Sequence, residues 1–249
     1  MQKGRVTRPL ISLIVPVWGD DDLAAALVSG LPSIPDLLEW VVAAVDPSAT
    51  LRELEYRGEI HLVACGTPSR GTQLNAGAAE AQGSLLCFHH ADSELLPEHV
   101  SALVKVAADE AVGGGAFHRK FDKRHGWMMR WEAVARGLSS VAGPLFGDQS
   151  IFVRADVFKR LGGFANIPLM EDVEFSSRLR RLTRVRLLDP PIRSSPRRFQ
   201  SLGSWRSTLL NILFIALFYF GISPNTLHHW YYQESRKGGG RVPKAKPSS

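Results

Sequence analysis

Four short apolar runs, each followed by a helical pattern, fill residues 10 to 109, and this alternation limits the possible folds more than any other feature. Leu10 to Val17, Trp40 to Val45, Ile60 to Cys65 and Leu85 to His89 read as strands. Asp21 to Gly30, Leu51 to Arg57, Gly71 to Ala81 and Pro97 to Asp109 read as helices, the last with proline in its first turn. Strands that are apolar on both faces must be covered on both sides. Repeated β-α units of this kind therefore require a mostly parallel, Rossmann-like α/β sheet flanked by helices. In such sheets ligands bind beyond the carboxyl ends of the strands. The residues that follow each run, Trp18 to Asp21, Asp46 to Ser48, Thr67 to Arg70 and His90 to Ser93, are the ones to inspect.

The second half is more mixed. Gly113 to His118, Gln149 to Val153 and Val185 to Leu188 read as strands, and Met128 to Leu138 and Asp172 to Leu182 as helices. From Ser207 to Ile222 the chain is apolar apart from Asn211 and the leading Ser and Thr. That run is shorter than the roughly 20 residues needed to cross a bilayer. Ser223-Pro224-Asn225 ends it, and Leu227 to Tyr232 carries a Trp-Tyr-Tyr cluster. Two readings stay open: a helical pair packed over the domain, or a helix lying in a membrane interface with Arg193 to Arg206 toward lipid phosphates. The expected organisation is a flexible basic N-terminus (1–9), an α/β domain (10–200), a C-terminal apolar and aromatic helical appendage (201–235) and a disordered basic tail (236–249).

Charge and cysteine content exclude several classes. The formal net charge is +6, yet five cations without an acid fall in residues 236–249 and three more in residues 1–8, so the intervening chain carries −2. A globular part of that charge is no general polyanion binder, and nucleic acid is not an expected partner. Cys65 and Cys87 sit in strand-like runs without CxxC spacing, as small buried hydrophobes in a reducing, cytoplasmic compartment do. The basic N-terminus lacks the apolar core and cleavage site of a signal peptide.

Several residues have the chemistry for a site. Asp46, after Val41 to Val45, is either a turn residue or an acceptor for a uracil edge or a ribose. Arg70 opens a helix where a cation does not complement the helix dipole, so its place makes sense beside an anionic ligand. Asp92 either caps the next helix or serves a hard divalent cation, Mg²⁺ or Mn²⁺, with His90 expected on the same strand face. Asp148 in Gly147-Asp148-Gln149 is a turn residue or an acceptor contact. Glu171 and Asp172, behind the Leu161-Gly162-Gly163-Phe164 turn, place two adjacent carboxylates at the start of a helix. The arginines at 178, 180, 181, 184 and 186 read mainly as a solvated face, and Arg197 and Arg198 as a grip for a pyrophosphate.

Six segments carry a resemblance: Ile14-Val15-Pro16-Val17, Arg70-Gly71-x-Gln73-x-Asn75-x-Gly77-Ala78, His90-Ala91-Asp92, Gly147-Asp148-Gln149, Leu161-Gly162-Gly163-Phe164 and Pro168-Leu169-Met170-Glu171-Asp172. In this order, over roughly residues 10 to 232, they resemble the family 2 glycosyltransferases of the GT-A fold, and within them the bacterial rSAM/selenodomain-associated transferase 2 group. The resemblance implies a nucleotide-sugar donor over the strand ends, with Pro16, Asp46 and Arg70 on the donor side. It puts Asp92 where the family's Asp-x-Asp motif holds a metal and the diphosphate. Asp172 falls at the catalytic-base position, with Glu171 and Asp148 on the acceptor side. Two departures touch the nucleoside pocket. The chain reads Trp18-Gly19-Asp20-Asp21 where the family has an Asn-Glu pair, and Asp46-Pro47-Ser48-Ala49-Thr50 where it has Asp-Gly-Gly-Ser-x-Asp.

The expected reaction is an inverting, metal-dependent transfer of a sugar to an acceptor hydroxyl, on a lipid-linked molecule if the 193–232 segment and the basic tail hold the protein at the inner face of a membrane. Two alternatives stand beside it: a non-catalytic GT-A scaffold with a decayed nucleotide pocket, and a nucleotidyltransferase, after the glycine-containing loop Gly66-Thr67-x-Ser69-Arg70.

Overall fold

Side-chain alternation on the first strand divides the core into two layers. The structure, a computed structural model, describes residues 10–120, 143–193 and 213–237. On β1 (Ile11–Val17), Ile11, Leu13, Val15 and Val17 face one cluster with Trp40, Leu51 and Leu103, while Ile14 faces a second with Leu74, Phe88, Phe164 and Phe175. Each face needs its own helices, and the chain supplies them alternately. The first half runs β1, α1 (Asp21–Gly30), β2 (Leu38–Val45), α2 (Ala49–Tyr56), β3 (His61–Cys65), α3 (Arg70–Glu80), β4 (Leu85–Phe88) and α4 (Pro97–Ala107). The second half adds β5 (Val112–Lys120), β6 (Ile151–Arg154), α5 (Ala155–Leu161), α6 (Glu171–Leu182), β7 (Arg184–Arg193) and α7 (Pro224–Lys237).

These strands form one seven-stranded sheet in the order β3-β2-β1-β4-β6-β5-β7. The neighbouring pairs β1–β2, β1–β4, β2–β3 and β5–β7 are parallel, and β6 runs antiparallel to both β4 and β5. This is the expected mostly parallel sheet flanked by helices. The reversed β6 has a functional consequence: its amino end lies beside the carboxyl end of β4, with Ile151 opposite Phe88.

Three elements differ from expectation. β4 stops at Phe88, so His90 and Asp92 lie in the turn beyond it, and strand alternation does not place them on a common face. β7 is longer than Val185 to Leu188, because it follows β5 through two register shifts at the sheet edge, where Pro190 and Pro191 displace no inner ladder bond. Helix α5 was not expected at all. Its signals are Asp156 in the first turn, Lys159 and Arg160 in the last, and Gly162 in the left-handed C-cap conformation. The expected helix Met128 to Leu138 lies outside the described residues, as do residues 1–9, 194–212 and 238–249.

The Gly163-Phe164 turn is fixed from across the fold by Asn75. Its Nδ2 donates to the Phe164 carbonyl at 2.8 Å, and its Oδ1 accepts from the Phe164 N–H at 2.8 Å. Arg178 holds the same turn from the other side, donating to the carbonyls of Leu161 and Gly163 while paired with Glu174 at 2.6 Å. Asn75→Ala strands both Phe164 main-chain groups, and the expected cost is about 1–3 kcal/mol each for those that stay dry. Urea unfolding should show a lower midpoint with an unchanged slope.

Candidate active site

The carboxyl ends of β1, β2 and β4 and the turn Gly147–Gln149 before β6 share one edge of the sheet. Beneath that edge the support is polar but satisfied. Gln73 is buried and its Nε2 donates to the carbonyls of Val17 and Ala43, both at 2.9 Å, joining the ends of β1 and β2. His89 is fully buried between the Ser150 hydroxyl at 2.7 Å and the Ser93 carbonyl at 3.1 Å. A carbonyl only accepts, so Nε2 carries the proton and Nδ1 receives the hydroxyl's. Burial pushes the His89 pKa down to about 4, so this ring is a neutral brace under the His90–Asp92 turn.

Above the support, Asp172 sits in the first turn of α6, half-buried. Its Oδ2 accepts from the Gly147 N–H at 2.7 Å and its Oδ1 from the Val173 N–H at 2.8 Å. The helix N-terminus adds a favourable field for the negative form. Glycine at 147 lets both side chains approach: a Cβ would stand 2.8 Å from His90 Nε2 and 3.4 Å from Asp172 Oδ2, so the imidazole would have to shift. The main chain of Gly147 thus separates an imidazole from a carboxylate that it orients.

Glu171, next to Asp172, is the more deeply buried of the two. It is 5% exposed and receives Arg70 Nη1 at 3.4 Å. Burial and then Asp172 raise the Glu171 pKa, with Arg70 opposing them. The sequence reading placed an anion beside Arg70; the protein supplies one of its own, 101 residues along the chain. Burial by itself lowers the Arg70 pKa, but the fields of Glu171, Asp172, Asp92 and Asp148 together outweigh it and raise it. The fields of four carboxylates are thus felt at one guanidinium, with Glu171 in ion-pair contact with it. Asp148 is raised by its own burial, then lowered by Arg119, whose Nη2 lies 2.9 Å from Asp148 Oδ2, and raised again by Asp172 and Asp92.

The structure thus brings together Arg70, His90, Asp92, Asp148, Glu171 and Asp172. The enclosed pocket among Arg70, His90, Gly147, Glu171 and Asp172 holds about 10 Å³, room for about one water. A larger ligand would lie outside it, over the strand ends. Asp46 stands exposed at the end of β2 with φ of 50°, and Pro16 is half-buried in β1 opposite Ala43. The loops after β1 and β2 are tied together where Asp21 Oδ1 accepts from the Ser48 N–H at 2.8 Å. Arg197 and Arg198 lie outside the described residues.

Arg119 was missed, although β5 is parallel to β4 and the rule of inspecting strand ends applies to it equally. Among the described residues no group of three or more His, Cys, Asp or Glu side chains is arranged to hold a metal ion. Of the two expected ligands, the Asp92 carboxylate is the oxygen donor that a Mg²⁺ sharing its ligands with substrate phosphates takes from a protein, whereas the His90 imidazole suits softer cations.

Residues 37–160 match the family described as Glycosyl transferase family 2. No curated protein matches the chain. Among solved structures, a mannosyltransferase from Pyrobaculum calidifontis in complex with GDP-Man and Mn²⁺ is 20% identical with a TM-score of 0.65, covering 92% of this chain and 69% of that one. S. aureus TarS 1-349 is 17% identical with a TM-score of 0.59 over 76% of this chain, which spans only 61% of that 1-349 chain. Glucosyl-3-phosphoglycerate synthase from Mycobacterium tuberculosis, with Mn²⁺, UDP and glucosyl-3-phosphoglycerate, is 17% identical with a TM-score of 0.52, covering 72% of this chain and 69% of that one. The common element is the GT-A fold.

Proposed function

Because the chain belongs to the family 2 glycosyl transferases, we propose that it moves a sugar from a nucleotide-sugar donor to an acceptor hydroxyl by an inverting displacement. The observation that carries this reading is an oriented, half-exposed carboxylate, Asp172, beside a buried acid, Glu171, that is ion-paired with Arg70. In this mechanism Asp172 accepts the acceptor's proton as the oxygen attacks the anomeric carbon, and the bond to the donor phosphate breaks. The donor diphosphate lies toward Arg70 and Asp92, its base toward Asp46 and Pro16. Mg²⁺ or Mn²⁺ held at Asp92, with His90 alongside, would neutralise charge on the departing nucleoside diphosphate. Asp148, kept near Arg119, presents an acceptor to the hydroxyls of the second substrate.

The nucleotidyltransferase alternative has less support. The loop after β3 follows an edge strand, and the hydroxyls of Ser69 and Thr72 already donate to Asn166 Oδ1, at 3.4 and 3.1 Å. The deciding experiment is calorimetry of the chain with UDP-, GDP- and dTDP-sugars, with and without Mn²⁺. GDP-mannose and UDP-GlcNAc belong in the panel because related folds hold them. The expected result is binding of at least one donor in the roughly micromolar to millimolar range, tightened by Mn²⁺. No binding to any donor would leave a GT-A scaffold without transferase activity.

A further inference from the structure

The far end of α6 meets a surface that the transfer reaction does not use. Phe220 is 85% exposed, Tyr219 56%, Leu213 50% and Leu182 44%. Exposed apolar side chains gathered in this way mark an interaction surface. The segment bearing them is held in place: Phe214 and Leu227 are buried, and the Tyr219 hydroxyl meets the Ser177 hydroxyl of α6 at 3.1 Å. Residues 213–219 are helical, and Leu213 and Phe220 are seven positions apart, on the same side of that helix. Ser177 stands four residues before Arg181, so Tyr219 docks on the side of α6 that ends in Arg181, with Leu182 next to it at the helix end.

Arg181 and Arg184 stand exposed at the end of α6 and the start of β7; among the described residues Glu174 on that helix is committed to Arg178, and Asp109 is paired with Arg186. Beyond the aromatic segment the sequence from residue 236 onward adds five cations and no acid. Aromatic side chains beside exposed arginines match the headgroup layer of an anionic bilayer, which takes rings at its boundary and cations at its phosphates. No helix among the described residues is long and apolar enough to cross a membrane, so the contact would lie along the surface.

We infer that Leu213, Tyr219, Phe220, Leu182 and Arg181 form a docking face for an anionic phospholipid surface. Asp172 lies ten residues from Leu182 along α6, about 15 Å at the helical rise. Docking would hold the cleft near the lipid and select acceptors carried on it. That last step rests on the transferase reading; the docking itself does not.

The test is flotation of the full chain with vesicles of phosphatidylcholine containing about a third phosphatidylglycerol, against phosphatidylcholine alone, without sugars or metal. The expected result is retention on the anionic vesicles only, lost at high salt, with roughly a fivefold loss of affinity for Arg181→Gln from the one cation removed. Phe220→Glu should weaken retention about tenfold or more. Its melting temperature should be unchanged, because the ring it replaces is exposed; if the variant is destabilised, Leu182→Asn serves in its place. Absence of binding to anionic vesicles overturns the proposal. So does full retention of both aromatic-face variants, which would assign binding to the basic tail alone, or a wild-type dimer in sedimentation that Phe220→Glu dissolves. Donor calorimetry on the same samples keeps these outcomes apart from failure of the transferase reading.

Discussion

Asp172→Asn is expected to lower sugar transfer by about 10²–10⁴-fold, the usual contribution of a positioned general base, while nucleotide affinity is retained. The amide has the shape of the carboxylate, and its oxygen can keep the Gly147 N–H that now lies 2.7 Å from Oδ2, while its NH₂ gives up the bond that Oδ1 accepts from the Val173 N–H. The size and position of the side chain are retained and basicity is lost. Glu171 cannot substitute. It is 5% exposed, held by Arg70, and separated from the open side by its own burial. Removing a negative charge close to Arg70 and Asp148 also relieves repulsion toward an incoming diphosphate, so donor affinity should hold or rise. The measurement is a pair of assays on one preparation: initial transfer rates, and donor titration by calorimetry. A variant that transfers at the wild-type rate would remove Asp172 from the mechanism. One that loses donor binding and rate together would place it on the donor side.

Much of this architecture could be read from the chain because the first half repeats one signal. Apolar runs of strand length alternate with amphipathic stretches, and α1 has the bounds that its pattern gives, Asp21 to Gly30. Readability declines after β4 for physical reasons. β7 extends beyond its apolar run because its partner β5, rather than its own side chains, sets its length. Helix α5 is seven residues long, too short for periodicity to reveal, and only its caps identify it. The site divides in the same way. Asp92, Asp148, Glu171 and Asp172 could be named from residue type and position, but the meeting of their fields at Arg70 joins segments from across the fold. Gln73 and Asn75 were visible as parts of a motif, yet their roles depend on which carbonyls lie opposite them. The arginines after Asp172 were read together as solvated, whereas Arg178 braces the turn before α6; its spacing of four from Glu174 was the available clue.

Gly115→Ala is the substitution expected to cost the most stability, about 3 kcal/mol, with a melting temperature lower by roughly 6–12 °C for a chain of this size. β5 runs between β6 and β7, and Gly115 is opposite Phe152 on one side and Arg186 on the other. A Cβ there would overlap the Arg186 carbonyl oxygen and stand 2.7 Å from Phe152 Cζ. One obstacle is main chain and the other is a fully buried ring, so neither yields by a simple rotamer change. Relief requires β7 to move away from β5, which breaks ladder pairing at the sheet edge. The paired register of β5 with β6 covers only Gly114 and Gly115, so there is little to keep β5 in place once it shifts. The functional consequence follows along the strand: four residues on, Arg119 reaches Asp148 at 2.9 Å, and a displaced β5 carries that guanidinium with it. Gly66→Ala is the control, since a Cβ at that position meets nothing within 4 Å. Thermal unfolding of the two variants should separate them clearly. Equal melting temperatures would mean that β5 is not confined between its neighbours, and that the route from this glycine run to the acceptor side of the cleft does not exist.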